Sequence, residues 1–249
     1  FIALIAALLV SLVIGWRFVQ HRDVAVGNAM QQLPALASGM ASSVGERVQG
    51  TEQLLFGLAR SQGLDTRDRA ACSAFLSQVR DKYPQYTGIL TIRPDGQLFC
   101  DSLRTGRNLD LNDRDYFRRA QQMTDAIAME PAFGRLTGTA VLQVAYPVRS
   151  DTGELRYVLL ASIHLARVLM AQLRDAVVPG VSVLVVDRSG QVLLASGALT
   201  AQTRPGMSIA ASGLFGFMRG HVGSAASEFV TPQGETQVWA VAANPITAL

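Results

Sequence analysis

The apolar positions of this chain fall into three patterns. Phe1–Trp16 is an uncharged run, almost wholly Leu, Ile, Val and Ala. The stretch from about 19 to 60 carries Leu36, Met40, Val44, Val48, Leu55 and Leu58, mostly at four-residue spacing. That stripe predicts a long amphipathic helix, interrupted at Pro34. Beyond it, short β-branched and apolar runs alternate with polar turns and predict strands. One such hairpin occurs twice. Residues 88–102 read GILTIRPDGQLFCDS and residues 182–196 read SVLVVDRSGQVLLAS, in register over fifteen positions and 94 residues apart. In each copy a strand enters a polar turn ending in Gly, with Gly96 and Gly190 supplying the positive φ that such turns need.

The later parts of the two segments repeat the same plan. Val144–Ile163 reads strand, Ser-Asp-Thr-Gly-Glu turn, strand; Ser227–Ile246 reads strand, Thr-Pro-Gln-Gly-Glu turn, strand. Hairpin, helical stretch, hairpin makes an antiparallel sheet with helices in the middle, so the fold class is α+β rather than doubly wound. The predicted organisation is a membrane helix over 1–18 and a stalk helix over 19–63. Two tandem α+β domains follow, one over 64–165 and one over 166–249. A helix over 166–177, with Leu169 and Leu173 on one face, leads through Pro179-Gly180 into the second.

Sixteen apolar residues fall short of the roughly 20 that span a bilayer. The chain opens inside this run and stops in mid-element, so both ends are expected to continue in a longer protein. A cleaved signal peptide is the rival reading; no small-x-small site closes the run, and Trp16-Arg17-Phe18 reads as an interfacial anchor. Arg17 and Arg22, just after the run, favour a cytoplasmic side by the positive-inside rule. The two cysteines argue the other way. Cys72 lies in a helical stretch over 68–80 and Cys100 ends a strand. Either they bridge, which places the body in an oxidising extracytoplasmic compartment, or they are two buried thiols. The half of the stalk nearest the membrane has nothing to pack on except a second copy of itself, which predicts a homodimer.

Composition narrows the function. The net charge is +3 and the basic residues are scattered, with no basic stripe interleaved with aromatics, so nucleic acid is not an expected partner. His21, His164 and His221 lie far apart and neither they nor the cysteines show metal-ligand spacing, so no metal or cofactor is expected. The sequence carries no Gly-x-Ser-x-Gly elbow, phosphate-loop Lys, His-Glu-x-x-His or dinucleotide glycine fingerprint. His164, in an apolar strand, reads as structural rather than as a base. The chain is not expected to be an enzyme.

One segment invites a ligand: Asp113-Arg-Asp-Tyr-Phe-Arg-Arg-Ala120. Asp113 is a suitable N-cap, which sets Arg114 at a helix start, where free N–H groups and the dipole favour anions. The Arg fork matches a carboxylate, and Tyr116 and Phe117 offer an apolar wall with one hydroxyl. Alternatively, Tyr116 and Phe117 are core and Arg114 pairs with Asp110 or Asp115.

With the membrane helix, stalk and tandem repeats, this Asp-Arg-x-Tyr-Phe-x-x-Ala segment and Ala-Tyr-Pro-Val at 145–148 resemble the double Cache (tandem PAS-like) extracytoplasmic sensor family. That family serves bacterial chemoreceptors, sensor histidine kinases and cyclic-di-GMP enzymes, and the likeness covers the chain after Trp16. The resemblance implies a ligand pocket in the distal repeat, lined here by Arg114, Tyr116, Phe117, Arg135, Gln143, Tyr146 and Ser162. The amino-acid-binding subclass is similar but has Arg-x-Trp-Tyr and an Asp on the last strand, where this chain has Ser162. An ammonium without that acid is desolvated unpaired, so a mono- or dicarboxylate held by Arg114 and Arg135 is the expected ligand. The alternative function is a ligand-free ectodomain that dimerises or contacts a partner protein.

Overall fold

The computed structural model describes residues 2–61, 64, 68–176, 180–221, 223–230 and 236–243. Side chains of residues 1–11, on which much of the membrane-helix reading rests, lie outside the described residues. So do the Leu173 side chain, Pro179 and the turn at 231–235. Among the described residues no helix is long and apolar enough to cross a membrane. The described part of the apolar run, Leu12, Val13, Ile14 and Trp16, is exposed.

The first helix, α1 (Ile2–Ala59), runs unbroken through Pro34. The interruption expected there does not occur: a proline forfeits one intrahelical hydrogen bond, and 58 residues of helix carry the chain past it. The stripe divides as its spacing requires. Met40, Val44, Val48, Leu55 and Leu58 are buried, while Leu36 is half-buried.

Two compact units are formed. The smaller comprises residues 1–41 and 217–243. In it β8 (Ser224–Val230) and β9 (Thr236–Ala242) make a two-stranded antiparallel sheet, and Arg22 pairs with Glu228 at 2.8 Å.

The larger unit comprises residues 42–216. Its centre is an antiparallel sheet of β1 (Tyr86–Ile92), β2 (Leu98–Asp101), β3 (Ala128–Phe133), β4 (Ala140–Arg149) and β5 (Leu155–His164), in the order β2-β1-β5-β4-β3. Register sets Gln143 opposite Ser162 and Ala145 opposite Leu160. Because side chains alternate along a strand, these residues share one face and Tyr146 takes the other. Helix α1 covers that other face. Thr51 and Tyr86 share a hydroxyl–hydroxyl hydrogen bond of 2.9 Å, and the rings of Phe56 and Tyr146 meet edge-on at 6.4 Å. On the first face lies α3 (Asp115–Gln122), which packs Tyr116, Phe117 and Ala120 against Leu90, Ile92, Val158 and Leu160. Helix α4 (Leu165–Ala176) leaves the sheet with Leu165, Val168 and Leu169 buried.

The repeated hairpin is repeated in three dimensions. In β6 (Leu184–Val186) and β7 (Val192–Ala195), Leu184 pairs with Ala195 and Val186 with Val192; in the first copy Leu90 pairs with Asp101 and Ile92 with Leu98. All four partners are displaced by the same 94 positions, and both copies slip register at the same step. A side chain is copied too: Ile89 N–H donates to Ser102 Oγ at 2.9 Å and Val183 N–H to Ser196 Oγ at 2.8 Å. Gly96 and Gly190 turn at φ 81° and 83°. Among the described residues, however, β6–β7 and β8–β9 are separate two-stranded sheets, not one second sheet.

Cys72 and Cys100 are bridged, with both residues fully buried. The bridge ties helix α2 (Arg69–Lys82), capped by the Asp68 carboxylate on Ala70 N–H and Ala71 N–H, to the edge strand β2. It closes a loop of 28 residues; its loss in a Cys72→Ser, Cys100→Ser double variant is expected to cost about 3–4 kcal/mol. Urea unfolding of wild type and variant, each with and without reductant, measures this. A reductant-insensitive wild type would show that the bridge contributes nothing.

Candidate functional site

Between α3, the first face of the sheet and the β3–β4 turn lies a pocket of about 430 Å3, open mouth included. Leu90 and Leu160 form part of its apolar lining from the sheet, joined by Leu103, Leu109, Leu111 and Leu136 from the loops. Its polar lining is Arg114, Tyr116, Arg135, Gln143 and Ser162, together with Thr87 and Thr137. Among the described residues no Asp or Glu lines it.

Arg114 is the N-cap residue of α3 and makes no side-chain cap bond. Its Nη2 donates to the Phe133 carbonyl at 3.2 Å. Among the described residues it has no ion-pair partner, because the neighbouring acids are committed elsewhere. Asp115 pairs with Arg119 at 2.8 Å and with Arg118 at 3.7 Å, and Asp113 pairs with Arg135. Asp113 is therefore not the cap that its sequence position predicts. The Glu130 carboxylate, arriving from β3, accepts the Tyr116 N–H at 2.9 Å instead. A carboxylate placed by another strand leaves no local sequence signal.

Arg135 sits on the β3–β4 turn, which closes through Gly134 N–H to Thr139 O and Gly138 N–H to Gly134 O. It donates to the Asp110 carbonyl and to the Asp113 carboxylate, latching the turn to the loop before α3. The Arg135 hydrogen bond holds the Asp113 carboxyl below the usual Asp value of 3.8. A depressed carboxyl pKa contributes fully above the ordinary value and is lost as pH falls through the folded one, so the latch holds at neutral pH and opens only in acid. In a carbon-detected NMR titration the Asp113 midpoint should rise in Arg135→Gln; an unchanged midpoint would refute the latch.

Tyr116 and Gln143 are buried, at 2% and 5% exposure. Among the described residues the Tyr116 hydroxyl has no hydrogen-bond partner, and burial pushes its pKa up, so it is a neutral O–H donor. Ser162 Oγ donates to Gln143 Oε1 at 2.6 Å, which orients the carboxamide and leaves its Nε2 without a partner among the described residues. Arg114, Tyr116, Arg135, Gln143 and Ser162 thus meet at one pocket.

Two of the seven expected residues do not. Phe117 is fully buried in the core beneath α3. Adjacent helical residues point about 100° apart, so Tyr116 takes the pocket and Phe117 the core. Tyr146 lies on the opposite face of β4, where its hydroxyl donates to Asp125 at 2.5 Å and burial raises its pKa, with Asp125 adding to the rise. His164 donates its N–H to the Gln85 carbonyl, and burial lowers its ring pKa.

The fold is similar to those of extracellular sensor domains of signalling receptors. With 21% identity, the chain superposes at a TM-score of 0.65 on the extracellular domain described as that of a histidine kinase, rpHK1S-Z16, covering 86% of this chain and 88% of that one. The ligand-binding domain of Campylobacter jejuni chemoreceptor Tlp3 in complex with 4-methylisoleucine matches at 0.61 and 14% identity, over 86% and 85% of the two chains. A domain of a sensory box/GGDEF family protein from Vibrio parahaemolyticus matches at 0.61 and 13%, over 87% and 97%. In sequence, sporulation kinase D of Bacillus subtilis (strain 168) is 22% identical over 124 residues, 50% of this chain and 24% of that kinase. The match thus spans about a quarter of that relative's length. No family model matches the chain.

Proposed function

We propose that this chain is the extracytoplasmic sensing region of a bacterial transmembrane receptor. It would bind a small organic anion in the distal domain, residues 64–165, and relay the event through the stalk helix and the proximal domain, residues 166–249. One observation carries the ligand class: an Arg114 guanidinium without an ion-pair partner among the described residues, beside the Tyr116 hydroxyl at the head of a leucine-lined pocket. An Arg so placed offers a planar fork to a carboxylate. The Tlp3 domain has been solved with isoleucine and with L-valine bound, which supports a pocket for small organic molecules in this fold. The exposed Leu12, Val13, Ile14, Trp16 and Val24 support a bilayer and a second copy of the helix as the surroundings of the N-terminal segment. The region senses and does not catalyse, and an output module would follow it.

A thermal-shift screen of the whole chain in mild detergent tests this reading, with a panel of organic acids, amino acids, amines and purines. The expected result is a rise in Tm with at least one organic acid, since a ligand that binds only the native state stabilises it by mass action. A shift with amines or purines alone would contradict the anion. No shift with any compound would favour the ligand-free interaction ectodomain.

A further inference from the structure

Resting on the sensing reading, we infer that the ligand is an aliphatic monocarboxylate lacking an α-ammonium group. The pocket discriminates by its count of charges and donors. Its unpaired polar groups suit an anion: the Arg114 guanidinium and the Gln143 Nε2 can only donate, the latter because Ser162 holds Oε1, and the neutral Tyr116 hydroxyl can donate beside them. An ammonium needs an anionic acceptor; among the described residues no carboxylate lines the pocket, and the acids near its rim are bonded to other groups. Asp113 is held by Arg135, Asp115 by Arg118 and Arg119, and Glu130 by the Tyr116 N–H. Asp110 accepts from the Asn112 N–H at 2.9 Å.

The second arginine does not make the site a dicarboxylate site. The charge of Arg135 is balanced by Asp113, and a further donor bond goes to the Asp110 carbonyl. Of the two charged residues that line the cavity, Arg114 alone has no ion-pair partner among the described residues, and one carboxylate can pair with it. The rest of the ligand meets leucine: Leu90, Leu111 and Leu160 from the buried side, Leu109 and Leu136 nearer the mouth. A second charge on that wall loses water and gains no partner.

Calorimetric titration of the whole chain with four compounds of nearly one skeleton tests the class: 4-methylpentanoate, leucine, 2-methylpentanedioate and 4-methylpentanamide. The first differs from leucine only by the ammonium, from the diacid by a second carboxylate and from the amide by its charge. The monocarboxylate is expected to bind at least about tenfold more tightly than each of the others, as an unpaired buried polar group costs more than a tenfold step. Leucine or the diacid binding as tightly as 4-methylpentanoate would overturn the class. Gln143→Glu, nearly isosteric, sets a carboxylate where the free amide stood and should abolish the preference for 4-methylpentanoate over leucine. Tyr116→Phe removes only a hydroxyl and should weaken the monocarboxylate about three- to tenfold, with folding retained. Wild-type behaviour in both variants would overturn the assignment. A chain that binds none of the four, yet responds to other organic acids in the thermal screen, overturns the class and leaves sensing intact. A chain that responds to no compound in either experiment removes the sensing reading and the ligand class with it.

Discussion

Replacing Phe117 with alanine is expected to lower the free energy of unfolding by about 3–5 kcal/mol, the range for truncating a buried aromatic ring. The ring is fully buried and packs, with Tyr116 and Ala120, into the cluster formed by Leu90, Ile92, Leu98, Val158 and Leu160. Helix α3 has eight residues, too few to persist in water without tertiary contacts. Its buried face holds it on the sheet, and its start positions Arg114. Loss of the ring should therefore weaken ligand binding as well, although Phe117 does not line the pocket. Urea unfolding with an unchanged m-value would isolate the stability effect. A cost under about 1 kcal/mol, well below the range for such a ring, would show that Phe117 is not part of the core.

Arg114→Ala should have the opposite signature. Among the described residues its side chain makes one hydrogen bond, to the Phe133 carbonyl, so stability should change by no more than about 1 kcal/mol. Affinity for the carboxylate should fall by roughly 30- to 5,000-fold, since truncating one partner of a buried charge pair costs about 2–5 kcal/mol. Arg114→Lys keeps the charge and loses the two-pronged geometry, so it should lie between wild type and alanine. Calorimetry and urea unfolding on the same samples separate these effects. Equal losses of stability and affinity would make Arg114 a structural residue.

Much of the fold was legible in the sequence because it rests on local rules. The two hairpins share turn glycines and strand spacing, and both pairings follow residue for residue, down to the Ser102 and Ser196 hydroxyls. The helical stripe announced its burial through four-residue spacing. Pro34 misled because a proline need not end a helix this long.

The site was legible only in part. Gln143 and Tyr146 are three residues apart on one strand, and alternation places them on opposite faces, so parity alone bars them from sharing a pocket. Whether Tyr116 or Phe117 enters the pocket depends on how α3 rolls on the sheet, which no local pattern specifies. The commitments that leave Arg114 open, Asp113 to Arg135 and Glu130 to the Tyr116 amide, span 22 and 14 residues. Such pairings are products of tertiary packing, and they decide the electrostatics of the pocket.

The most direct test of the account is a crystal structure of the chain grown with the organic acid that gives the largest thermal shift. The account predicts the carboxylate on the Arg114 guanidinium, within hydrogen-bond reach of the Tyr116 hydroxyl, with its hydrocarbon body against Leu90 and Leu160. A ligand bound away from this pocket, or seated in it with Arg114 uninvolved, would contradict it.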